Sequence, residues 1–128
     1  MKEISVVSKD KVGLLADVSE ILGQHGVNIE SIAMESEHDT AVIHLKVSKE
    51  SEAQKILAKA GFKVVESNHL LLRISNRPGE LAKVSRLLAN AGINITNVFV
   101  LDERNGKKIV AFNTSNNAKA KKLLKDYS

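Results

Sequence analysis

DKVGLLADVSEILGQHGVNI, residues 10–29, returns as NRPGELAKVSRLLANAGINI, residues 76–95, without a gap. Gly13, Leu15, Ala16, Val18, Ser19, Leu22, Gly26, Asn28 and Ile29 meet Gly79, Leu81, Ala82, Val84, Ser85, Leu88, Gly92, Asn94 and Ile95. Nine identities in twenty at a single offset of 66 mark an internal duplication. Each copy reads the same way: a turn-forming loop, apolar residues at helical spacing, a glycine where the helix stops, then the start of a strand. The 128 residues therefore read as two related units packed together, 1–67 and 68–128. Two fully separate cores of about 64 residues would each be marginal.

The order of elements extends from that repeat. In the first unit, ISVVS (4–8) is a short β-branched strand. Asp10 is placed to cap the next helix and Gly13 to relax its turn. Leu15, Val18, Ile21, Leu22 and His25 form the expected buried stripe, and Gly26 ends the helix. A strand over Val27 to Met34, a bend at EHD and an alternating strand through Ala41, Ile43, Leu45 and Val47 follow. Ser48 is a candidate cap for a helix carrying Ala53, Ile56, Leu57 and Ala60, and FKVVES (62–67) closes the unit. The order is β-α-β-β-α-β. The second unit repeats it with HLLLRIS, the NRPG loop, a helix with Leu81, Val84, Leu87, Leu88 and Ala91, and strands joined across Asn105-Gly106, a tight-hairpin signal. A helix through Ala120, Leu123, Leu124 and Tyr127 comes last, so the second unit lacks its fourth strand. Strands 62–67 and 69–74 are expected to form a hairpin around Asn68. One expectation is that strand 62–67 lies between the halves and serves both, giving one continuous sheet; the other is that a second subunit supplies the missing edge.

Composition narrows the function classes. Hydrophobic residues are 43% and charged residues 27%, as in an ordinary globular protein. Cysteine is absent, which excludes disulfides, Cys-based zinc or iron–sulfur sites and a cysteine nucleophile. No run of 18 apolar residues exists and the chain opens MKEISVV, so neither a membrane span nor a secretory signal is expected. The formal net charge of +4 is mild and owes much to late lysines such as Lys119, Lys121, Lys122 and Lys125, which read as a solvated helix face. His25, His38, His44 and His69 lack metal-ligand spacing. Ser19 and Ser85 lack a nucleophile elbow or a base, and KDKVGLLA lacks the spacing of a phosphate loop. No catalytic residue, metal site or cofactor is expected.

The loop and helix pattern, VVSKDKVGLLADVSEILGQHGVNIESI and LRISNRPGELAKVSRLLANAGINITNV, resembles the ACT domain, with a D/N-x-x-G loop and a G-[VI]-N-I segment in both units. The resemblance covers nearly the whole chain. It implies an α+β fold, a ferredoxin-like βαββαβ sandwich in two tandem units, the second lacking its last strand. It also implies a small-molecule sensor that binds an amino acid and regulates amino acid metabolism, is not an enzyme, is cytoplasmic, pairs as a homodimer and acts on a regulated enzyme or transcription factor. Ligands in the family often sit where two units meet. Carried onto this chain, the ligand-binding positions are Asp10, Val12, Gly13, Leu14, Asn28 and Ile29, and Asn76, Pro78, Gly79, Glu80, Asn94 and Ile95. Val12 departs from the family's common proline, which the second unit keeps as Pro78.

Elementary chemistry supports part of that set. Unsatisfied N–H groups at the start of a helix, with the helix dipole, attract a carboxylate. Gly13 and Gly79 permit close approach to the main chain. Asp10 or Asn76 accepts from an ammonium group, the charged Asp10 more strongly, and Asn28 and Asn94 add an amide. The same residues also make a good turn. Two other classes stay open: a ligand-free protein-interaction module, and an RNA- or DNA-binding module of the same fold. The second needs exposed sheet aromatics, and Phe99 and Phe112 are expected to be core residues instead.

Overall fold

A computed structural model describes residues 3–66 and 69–127. It divides into two compact units, Met1–Ser67 and Asn68–Ser128. In the first, strand β1 (Glu3–Lys9) leads to helix α1 (Leu14–Gln24), then β2 (Ile29–Glu37), β3 (Thr40–Val47), α2 (Glu50–Lys59) and β4 (Lys63–Glu66). The strands form one antiparallel sheet in the order β2-β3-β1-β4. In the second, β5 (Leu70–Ser75), α3 (Glu80–Asn90), β6 (Ile95–Arg104), β7 (Lys107–Thr114) and α4 (Asn117–Leu123) end in a 3-10 turn, Lys125–Tyr127. Its sheet has the order β5-β7-β6. This is the ferredoxin-like α+β fold, built twice, with three strands among the described residues of the second unit.

Each core lies between one sheet face and its helices. Ile4, Val6, Ile43, Leu45 and Val47 from the strands pack on Leu14, Val18, Leu22, Ala53 and Leu57 from the helices. The second core repeats this with Leu72, Ile74, Val110 and Phe112 against Val84, Leu88, Ala120 and Leu124. The buried stripe of α1 begins one residue earlier than its spacing suggested. Leu14, Val18 and Leu22 are buried, whereas Leu15 and His25 are exposed. The reason is the helix start: with Gly13 at the N-cap, the i, i+4, i+8 row from Leu14 faces the sheet. His25 instead turns its Nδ1–H to the carbonyl of Ile21, 2.8 Å away.

Two expectations about element ends are corrected. β2 starts at Ile29 rather than Val27, because Val27 N–H bonds back to the Leu22 carbonyl at 2.9 Å and closes α1 through the left-handed Gly26; Ile93, Leu88 and Gly92 repeat this closure. Ser48 is not the cap of α2: Lys49 holds that place, and the Ser48 hydroxyl accepts from Asn28 N–H. Within the first unit β4 pairs with β1, and within the second β5 pairs with β7. β4 has four residues and carries Lys63 and Glu66 at its ends, the kind of short charged edge that resists further pairing. The expected hairpin at Asn68 lies outside the described residues.

The second unit is not a strict copy of the first. Both β2 and β6 carry an irregularity near their starts, between Ile29 and Ser31 and between Ile95 and Asn97. β6 has a second one, between Val100 and Asp102, that β2 lacks. The extra residue, Leu101, is buried. Beyond it the structural offset between units is 67, not 66: the hairpin turn His38-Asp39 corresponds to Asn105-Gly106, and the buried Ala53 and Leu57 to Ala120 and Leu124. A bulge of this kind reverses which side chains face which way beyond it.

Candidate functional site

The candidate site in each unit is the loop from the first strand into the first helix. Gly13 has φ +86° and Gly79 φ +85°, both left-handed, and both stand at the helix N-cap. No side chain caps either helix. Leu14 N–H bonds the Lys11 carbonyl at 3.2 Å and Asp17 N–H the Gly13 carbonyl at 2.9 Å. Glu80 N–H to Arg77 at 3.3 Å and Lys83 N–H to Gly79 at 3.0 Å repeat the pattern. Val12 and Pro78 thus occupy loops of one geometry, so the missing proline does not change the turn. The helix start keeps uncapped N–H groups at its positive end.

Asp10 and Asn76 are not helix caps. Each is tied by its main chain to the facing hairpin turn, Asp10 N–H to the Asp39 carbonyl and Asn76 N–H to the Gly106 carbonyl, both at 2.8 Å. Their side chains reach the neighbouring strand. The Ser36 hydroxyl of β2 donates to the Asp10 carboxylate, and the Asn76 amide donates to the Glu103 carboxylate of β6. With the offset of 67, Ser36 and Glu103 are equivalent positions. Both units therefore hold one carboxylate at the junction of loop and strand, each in a hydrogen bond with a neutral partner. In the first unit the loop supplies it; in the second the strand does. Each carboxylate keeps acceptor capacity after that bond.

The other predicted positions divide. Val12 is fully exposed, and Pro78 is exposed beside Gly79. Leu14 is buried in the first core, so its side chain is unavailable to a ligand and its main chain alone belongs to the loop. Ile29 and Ile95 are half-buried against their cores. Asn28 and Asn94 have exposed side chains, but their main chains are engaged: Asn28 N–H bonds Ser48 Oγ at 3.0 Å and its carbonyl accepts from Ser48 N–H, as Asn94 does with Ser115. This double bond pins the strand entry in both units. Glu80 stands in the first turn of α3 with a side chain 13% exposed, 3.5 Å from both Arg77 and Lys83. Both helices carry an acidic residue in the first turn, Glu80 here and Asp17 in α1, where it lies 3.3 Å from Lys11. The first helix has buried Leu14 at the position of Glu80.

Glu103 is the residue of the candidate site that sequence reasoning missed. The signal was present in the second half of the repeat, where TAVIHLKVS (40–48) lies over KKIVAFNTS (107–115) at 67, not 66. Elsewhere, among the described residues, no three His, Cys, Asp or Glu side chains group so as to hold a metal ion. None of the described helices is long and apolar enough to cross a membrane. Phe112 is buried, but Phe99 is not a core residue: it is 37% exposed on the edge strand β6, with its ring 5.6 Å from that of His69.

The pattern of the ACT domain pair family matches residues 1–127, and the chain belongs to that family. The fold is similar to that of protein BT0572 from Bacteroides thetaiotaomicron, with 27% identity and a TM-score of 0.51 over 98% of this chain and 86% of that one. It is also similar to the ligand-free regulatory subunit of aspartate kinase from Thermus thermophilus, with 18% identity and a TM-score of 0.47 over 97% and 88%. An uncharacterized protein of Methanocaldococcus jannaschii, MJ0241, is 40% identical over 45 residues. That stretch covers 35% of this chain and 31% of the relative's length. Family membership supports a regulatory, ligand-binding role.

Proposed function

We propose that the protein is a non-catalytic sensor of a free α-amino acid, bound chiefly by the loop of the first unit. One observation carries this reading: an uncapped helix N-terminus behind a left-handed glycine, with the Asp10 carboxylate three residues away in the same loop. The helix start suits the ligand's carboxylate and Asp10 its ammonium group. Exposed Val12 is free to touch the ligand's side chain. The second unit has the matching carboxylate in Glu103 on its strand, but its loop carries neutral Asn76 where the first has Asp10. It is the weaker site.

Occupancy would act by changing which packing of the units is favoured, passed to a regulated enzyme or transcription factor. Pairing as a homodimer fits the edge strands. β2 exposes Ile32 and Met34, and β6 exposes Val98, Phe99 and Val100. Thermal denaturation against each of the twenty amino acids tests the reading. At least one raises the melting temperature in a concentration-dependent way, and Asp10→Asn removes that rise. A panel in which none does so counts against the sensor and favours the interaction module. The nucleic-acid reading has little support in the geometry: Phe99 offers one exposed strand aromatic among the described residues, where stacking modules present two or three.

A further inference from the structure

We propose that the groove between α1 and α2 of the first unit receives an acidic, amphipathic helix of a partner protein. The groove has a volume of about 530 Å³ and lies toward the opposite end of α1 from the loop. Half-buried Ile21 and Ile56 line its floor. Lys55 and Lys59, one helical turn apart, and His25 line its rim, and no carboxylate lines it. Neither lysine has an ion pair among the described residues. The His25 ring is pinned through Nδ1, so its Nε2 remains as a fixed polar point.

Three comparisons settle the occupant. A pocket for a small molecule buries most of its ligand, whereas this rim is exposed, which suits a larger body that brings its own cover. A second copy docking the same face would set lysine toward lysine. An apolar stripe flanked by carboxylates complements both floor and rim, the helix-in-groove mode of recognition. The second unit provides an internal contrast at the structural offsets. Ala91 replaces His25, Asp126 replaces Lys59, and Tyr127 replaces Ala60 and packs against its own core. Lys122 keeps the place of Lys55, so the second unit retains one of the three basic side chains that line the groove of the first.

The test is selection of a displayed library of helical peptides, randomised on one face, against the whole protein. The affinities of enriched peptides are then measured by fluorescence anisotropy. Enriched peptides carry apolar residues at i, i+3 or i+4 and i+7 with flanking Asp or Glu. Lys55→Glu with Lys59→Glu weakens them by about tenfold or more, Lys122→Glu in the second unit leaves them unchanged, and added salt weakens them. Ala60→Tyr keeps every charge but fills the groove, and it weakens them as well. Circular dichroism and melting establish that each variant folds. Selection that yields no peptide dependent on Lys55, Lys59 and Ala60, or that enriches basic or neutral helices, overturns the proposal.

Discussion

At the scale of single residues, two positions decide the proposed site. Gly13 is held at φ +86°, and a Cβ built there meets nothing within 4 Å. Gly13→Ala is therefore strained through its backbone and not by collision. Its expected cost is about 1–2 kcal/mol in chemical denaturation. If an amino acid closes on this main chain, the loss in ligand affinity exceeds what that loss of stability explains. Asp10 is the second. Asp10→Asn keeps the shape and removes the charge, so affinity for the amino acid falls by about 10- to 100-fold, the worth of a hydrogen bond to a charged group. The exposed loop predicts little change in melting. The glycines were legible because a left-handed turn leaves a mark in sequence. The partner of Asn76 was not, because one inserted residue in β6, Leu101, moves Glu103 into the place that Ser36 holds.

At the scale of elements, order and type followed from periodicity, but the phase of α1 did not. Leu15, Val18 and Leu22 make an i, i+3, i+7 row, and Leu14, Val18 and Leu22 make an i, i+4, i+8 row. The rows share two residues, so spacing alone does not choose between them. The position of the left-handed Gly13 at the N-cap does. The difference is measurable. Leu22→Ala empties a fully buried position and costs about 2–5 kcal/mol in urea denaturation. Leu15→Ala, at a residue 39% exposed, costs under about 1 kcal/mol. Equal costs would mean that α1 is rotated from the phase described. The fate of strand 62–67 was likewise illegible, since an alternating strand can pair on either edge. Here β4 pairs with β1 among the described residues, and charged ends mark its limits.

At the scale of the molecule, the duplication gave the architecture and the bulge broke its symmetry. The two loops share one backbone geometry but differ in charge at one position, Asp10 in the first and Asn76 in the second. A ligand with both a carboxylate and an ammonium group thus meets a charged loop carboxylate beside the helix start in the first unit and a neutral amide in that place in the second. The exposed apolar residues of β2 and β6 predict self-association. Light scattering on the wild type gives a mass above one chain, and Met34→Glu with Val100→Glu lowers it. The most direct measurement of the central claim is isothermal titration calorimetry of the whole protein with the amino acid that gives the largest thermal shift. The account predicts one strong site per chain, weakened by about tenfold or more in Asp10→Asn and little changed in Glu103→Gln. Two equal sites, or affinity indifferent to Asp10, would contradict it.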